Sequence, residues 1–277
     1  MRMSRTEIIT IILLLWASQG LCHDFFLFPS RFRVAPGDSV TVFIHVDDLF
    51  PGRSTKWNPA RVTRFELWRT NDPVFPLPSK LLADSSGTTL TISKKGIYTC
   101  VLDWSPRLIE LKASDFNAYL RAEGLDDILA LRKEQNLESK PGRERYSRYV
   151  KTFINCNSSP GETPTNYSGQ TIELVLLDNP YHKSVEDSLH ILLSFRGQPL
   201  SNALVSATHA GFTEKPDTYK QSVRTDANGF AWIHLDAPGP WLVRTVHMLP
   251  LMNSNEADWE SWWASATFEV KDRAPTD

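Results

Sequence analysis

The sequence predicts a mostly β protein, built as two β-sandwich domains of Ig-like or prealbumin-like type with a short helical segment between them. Three observations predict it. Residues 39–46 alternate, with Val40, Val42, Ile44 and Val46 on one face and Thr41, Phe43 and His45 on the other. Short runs of this kind recur between turn clusters such as Pro36-Gly37-Asp38 and Lys94-Lys95-Gly96. The third observation is the stretch 223–235, in which Asn228-Gly229 sits between two such runs and predicts a tight two-residue hairpin.

Taken in chain order, residues 1–22 have the pattern of a secretory leader. Arg2 and Arg5 precede a short apolar run from Ile8 to Trp16, and small or polar residues then lead to Cys22 and His23. The apolar run is about half the roughly 20 residues needed to cross a bilayer, so cleavage before His23 is expected and a retained anchor is not. Acylation of Cys22 is disfavoured by Leu21 before it and Gln19 three positions back. No later segment has the length and apolarity of a membrane span, and the processed chain is expected to be exported to the periplasm or the extracellular space. Loss of Arg2, Arg5 and Glu7 takes the formal charge from −2 to −3. With no basic stretch to attract phosphate, nucleic acid is not an expected partner.

Residues 23–110 read as the N-terminal sandwich, with strand candidates at 62–68, 88–93 and 96–102. Residues 111–156 read as helical. Ser114 can cap a first helix carrying Phe116, Leu120, Leu125, Ile128 and Leu129, interrupted at Gly124. A second helix is predicted over 143–155, with Tyr146, Tyr149, Val150 and Phe153 on one side and Arg145, Arg148 and Lys151 elsewhere. The polar, turn-rich stretch 157–170 is the expected linker. Residues 171–271 supply about seven further strands and form the C-terminal, prealbumin-like sandwich. Of three cysteines, Cys22 leaves with the leader. An exported protein retaining Cys100 and Cys156 is expected to join them as a disulfide.

The chemistry centres on His23. A terminal histidine offers its α-amine and a ring nitrogen to one ion, and such nitrogens suit Cu, Ni, Co and Zn. His247 and His45, both in strand patterns, are the candidates to complete a metal site; Asp258 and Glu260, two apart, could add oxygen ligands. His182, His190, His209 and His234 are scattered and carry no assignment. No catalytic residue is assigned. The Gly-x-Ser-x-Gly elbow, the phosphate-cradling Gly-rich loop, His-Glu-x-x-His and Cys-x-x-Cys are all missing from the sequence. The aromatic run Trp259-Glu260-Ser261-Trp262-Trp263 reads as a core strand or as a platform on which a sugar could stack.

Several segments occur together and in order: His23-Asp-Phe-Phe-Leu-Phe-Pro29, residues 145–151, residues 174–181 (LVLLDNPY), residues 196–205, Thr225-Asp-Ala-Asn-Gly229, residues 241–248 and residues 257–264. As a set they resemble the bacterial DUF4198 family, exported proteins grouped with periplasmic components of nickel and cobalt uptake systems. The family's usual opening is His-Asp-Phe-Trp, and Phe26 here replaces the tryptophan, a change expected to affect packing and not ligation. The resemblance implies a periplasmic β protein binding a divalent transition metal (Ni, Co or Cu), with a membrane metal transporter as a partner. It strengthens His23 and His247 as ligands. Two other readings compete with metal binding and delivery. One is a copper oxygenase with an N-terminal histidine brace. The other is a structural or carbohydrate-binding surface module.

Overall fold

The computed structural model describes residues 23–70, 72–77, 87–159, 161–164 and 167–273, and the leader expected at 1–22 lies outside them. The first half contains β1 (Asp24–Pro29), β2 (Arg33–Val34), β3 (Asp38–Asp47), β4 (Ser54–Thr55), β5 (Val62–Arg69), β6 (Phe75–Pro76), β7 (Gly87–Ile92) and β8 (Gly96–Leu111). Two helices follow, α1 (Ala113–Ala122) and α2 (Asp126–Glu134), and then the long strand β9 (Gly142–Cys156). The second half contains β10 (Ile172–Leu176), β11 (Ser188–Phe195), β12 (Gln198–Pro199), β13 (Leu204–His209) and β14 (Gln221–Arg224). It closes with β15 (Phe230–His234), β16 (Gly239–Pro250) and β17 (Trp259–Val270).

One nine-stranded sheet runs through both halves in the order β14-β13-β16-β17-β9-β8-β5-β6, with β2 beside β9. Each of its faces is covered by a smaller sheet. On one face β1-β3-β4, with β7 on β3, closes a core containing Val42, Ile44, Cys100, Val150 and Ile154. On the other, β10-β11-β12, with β15 on β11, closes a core containing Leu174, Ile191, Phe153, Trp241 and Trp262. The fold is therefore mostly β with sandwiched layers, as predicted. The stretch 157–170 separates the two small sheets but leaves the large one continuous.

The strand β9 corrects the predicted second helix. Tyr146, Tyr149, Val150 and Phe153 do fit helical spacing, but the residues alternate in the fold: Val150 and Ile154 enter one core and Phe153 the other. A strand with neighbours on both edges and cores on both faces has no polar side, so its period of two is hidden. Its pairing is antiparallel to β8 and parallel to β17. Helix α1 buries Phe116 and Leu120 as expected, and Tyr119 with them, although it begins at Ala113 and Ser114 makes no capping bond. It stops where Gly124 takes a positive φ of 63°.

The predicted hairpin at Asn228-Gly229 is also corrected. A tight turn is present, closed by Gly229 N–H donating to Asp226 O at 3.0 Å, and Gly229 has φ 78°. The flanking strands do not pair with each other. β14 pairs with β13 in the large sheet and β15 with β11 in the small one. The turn is a corner between two layers, and the layer of β13, β14, β16 and β17 continues through β17 into β9.

The expected disulfide is absent. Cys100 and Cys156 are free, buried thiols. In the β8–β9 ladder Cys100 stands opposite Thr152, while Cys156 stands opposite Gly96. Four residues of strand, roughly 13 Å, separate them along the ladder. A disulfide requires Cα atoms within about 7 Å.

Candidate functional site around His23

His23 enters β1 at the rim of a cavity of about 260 Å³ lined also by Arg107, Tyr119, Glu144, Tyr146, Arg148 and Trp263. Its Nδ1 lies 2.5 Å from Asp48 Oδ1, in the loop after β3, and its side chain is 38 % exposed. Beneath it the next residue, Asp24, joins a buried charge cluster. Arg244 Nε is 2.7 Å from Asp24 Oδ1. Its two terminal nitrogens donate to Glu123 at 2.6 and 3.0 Å. Tyr219 OH donates to Asp24 Oδ2 at 3.1 Å. Burial raises the Asp24 carboxyl to about 6, although Arg244 opposes it. The cavity floor holds a second perturbed acid. Glu144 accepts hydrogen bonds from Tyr119 and Ser261, yet burial pushes it up to about 7.

The predicted metal ligands do not gather here. Residues 262 and 263 on β17 point to opposite faces of the sheet, as consecutive strand residues must. Trp263 lines the His23 cavity. Trp262 lies in the opposite core, with its ring 6.1 Å from the His247 ring. His247 is therefore on the far side of the large sheet from His23, packed against Phe195 at 4.6 Å. Burial lowers its pKa. His45 is buried among Phe26, Phe28 and Phe43, with Nδ1 2.5 Å from Pro51 O. Asp258 is clamped by Arg143 through two bonds of 3.0 and 2.6 Å, and Glu260 is held by Arg145 at 2.7 Å. Both acids serve the parallel β9–β17 pairing, in which Glu260 faces Arg145 directly. These five residues do not fit one ion. Among the described residues no three His, Cys, Asp or Glu side chains are grouped to hold a metal.

Sequence reasoning missed Asp48, Glu144 and the arginines of this region. With 142–156 a strand, its period of two puts Glu144, Tyr146 and Arg148 on one face, a placement that the helical reading of 143–155 concealed. Arg107 is not placed by such a period. It owes its place to an irregularity of the β8–β9 ladder, where Trp104 opposes Arg148 but Arg107, not Pro106, opposes Tyr146. The extra residue turns Arg107 onto the face it would otherwise leave.

The description "domain of unknown function (DUF4198)" matches residues 21–249. The chain belongs to this family. No curated protein matches it in sequence. Among solved structures it is similar to three N-terminal domains of the bacteriophage RB49 highly immunogenic outer capsid protein, at 9 % identity and a TM-score of 0.20. That alignment covers 90 % of this chain and 59 % of the capsid protein chain. It is also similar to the D0-D1 domain of intimin, at 12 % identity and a TM-score of 0.22, covering 90 % and 97 % of the two chains. The chain thus spans less than two thirds of the capsid protein domains. No helix among the described residues of this DUF4198 chain is long and apolar enough to cross a membrane.

Proposed function

We propose that this DUF4198 protein is exported, is processed to begin at His23, and holds one divalent transition metal at that residue as a carrier or delivery protein. The observation that carries the reading is the convergence of His23 Nδ1 and Asp48 Oδ1 at the cavity rim, 2.5 Å apart. Processing adds the α-amine of His23 to that imidazole and carboxylate. Two nitrogens and a carboxylate suit Ni, Co or Cu. His247, His45, Asp258 and Glu260 have no part in this site, each having a packing or pairing role of its own. Delivery to a membrane transporter is the role that the Ni/Co grouping suggests. The dispersal of the five sequence-derived ligands favours a second reading, a surface binding module without metal.

Two forms of the protein, one starting at His23 and one with a single added glycine, separate these readings by nickel and copper titration. The extra residue moves the amine away and leaves every side chain in place. Affinity should fall more than about tenfold, since tenfold is only 1.4 kcal/mol and a chelating donor is lost. Asp48→Asn should weaken binding several-fold, and His182→Ala should leave it unchanged. Acid should release the ion, because the imidazole (ordinarily about 6.5) and the amine (about 7.7–8.0) bind only when deprotonated. Equal affinity of the two forms would remove His23 from the site. Terminal sequencing of the exported protein checks the processing.

A further inference from the structure

Behind the His23 cavity lies a second one of about 520 Å³, which shares Arg107, Tyr146 and Arg148 with it. Three arginines meet on it. Arg148 is stacked between rings, 4.8 Å from the centroid of Phe25 and 5.2 Å from that of Tyr146. Its Nε is sealed from solvent and has no hydrogen-bond partner. Arg61 Nη2 donates to the carbonyls of Ser105 and Pro106, at 2.6 and 3.2 Å, and its own Nε is likewise buried and unpartnered. Arg107 is placed beside them by the strand irregularity at Pro106. Lys56 adds a fourth cation, and among the described lining residues there is no carboxylate.

This is an expensive arrangement to leave uncompensated. A buried cation is normally paired, and buried donors are normally satisfied. Among the described residues, three other cations are buried: Arg244 has Asp24 and Glu123, Lys151 has Glu173, and Arg132 donates to Asn117 Oδ1 and to the carbonyls of Leu137 and Lys140. Arg148 has no ion pair among the described residues; burial lowers its pKa, Tyr146 and Asp24 oppose that, and Arg107 and Arg61 push in the same direction as burial.

We propose that this cavity binds a small organic oxyanion, a carboxylate or phosphate monoester on an aromatic body, with the anion on Arg148 and Arg107 and the body against Phe25 and Trp104. Guanidinium edges match the two oxygens of such a group in bidentate fashion, which an ammonium cannot do. The apolar wall supplies what an inorganic ion would leave unused. The Phe25 and Trp104 rings, 5.1 Å apart and tilted by 55°, form an aromatic corner of that wall. Neither His23 nor Asp48 lines this cavity, although Arg107 and Arg148 also line the one at His23.

Calorimetric titration of the purified protein with benzoate, phenyl phosphate, inorganic phosphate and neutral benzamide tests it. Benzoate or phenyl phosphate should bind at least tenfold tighter than inorganic phosphate, and benzamide should give no heat. Binding should weaken as ionic strength rises. Arg107→Gln and Arg148→Met should each weaken it at least tenfold, with the melting profile recorded alongside; Arg107→Gln, at the rim, keeps the test open should Arg148→Met fail to fold. Which of the two aromatic anions binds tighter separates the carboxylate from the phosphate source. Absence of binding by both aromatic anions, equal binding of benzamide, or indifference to Arg107→Gln would each overturn the proposal.

Discussion

Lys151 and Arg148 lie three residues apart on β9 and on opposite faces of the same sheet; Lys151 is buried, Arg148 is half-buried with its Nε sealed, and their surroundings differ. Lys151 donates to Glu173 at 2.5 Å. Glu173 in turn collects the N–H groups of Ser168 and Gly169 and the Ser168 hydroxyl, at 2.5, 3.1 and 2.8 Å. Every charge there is answered from within the chain. Arg148 is held by aromatic rings and makes no ion pair among the described residues. The difference distinguishes a structural ion pair from a group awaiting something outside the chain.

Breaking each side of this contrast gives the largest effects. Glu173→Gln strands a buried ammonium, and urea unfolding should show a loss of about 3–5 kcal/mol. Arg148→Met leaves no charge behind and should stay within about 1 kcal/mol of the parent. A loss as large as that of Glu173→Gln would make Arg148 structural too and erase the contrast.

A somewhat smaller effect belongs to Glu144, on the Arg148 face. Burial lifts it from 4.5 to about 7 in the folded chain. The folded state therefore binds this proton more tightly than the unfolded chain does. Its contribution is complete below about pH 4.5 and is lost as pH rises to about 7. The loss amounts to about 3 kcal/mol across that window. Stability measured against pH should decline over the window, and Glu144→Gln should flatten that part of the curve. A parent protein that gains stability between pH 5 and 7 would contradict this account.

The smallest effects concern the two cysteines, which face one apolar core. Cys100 is fully buried and its thiol is pushed up to about 12. A thiol reagent should find Cys100 inert in the folded, processed protein and titrate two thiols per chain after unfolding, where a disulfide would give none. Cys100→Ser, which buries an unpartnered hydroxyl, should lose about 1–3 kcal/mol.

What could be read from the residues alone was whatever depends on near neighbours in the chain. The alternation of Val40, Val42 and Ile44, the turn at Gly229, the break at Gly124 and the mostly β class follow from backbone and side-chain preferences that act over a few positions. The DUF4198 membership was legible for a similar reason, through short motifs in a fixed order. The tertiary structure decided the rest. β9 is a strand because β8 and β17 lie on either side of it, a fact that its own pattern of Tyr146, Tyr149, Val150 and Phe153 conceals. Cys100 and Cys156 stay apart because ladder register, not cysteine count, sets their separation. His247 falls on the far side of the sheet because a strand sends alternate side chains to opposite faces. Arg107 joins Arg148 through a one-residue irregularity that no local preference announces. Local preferences select elements; which charges meet is settled by register and by layer, and these are fixed only when distant segments pair.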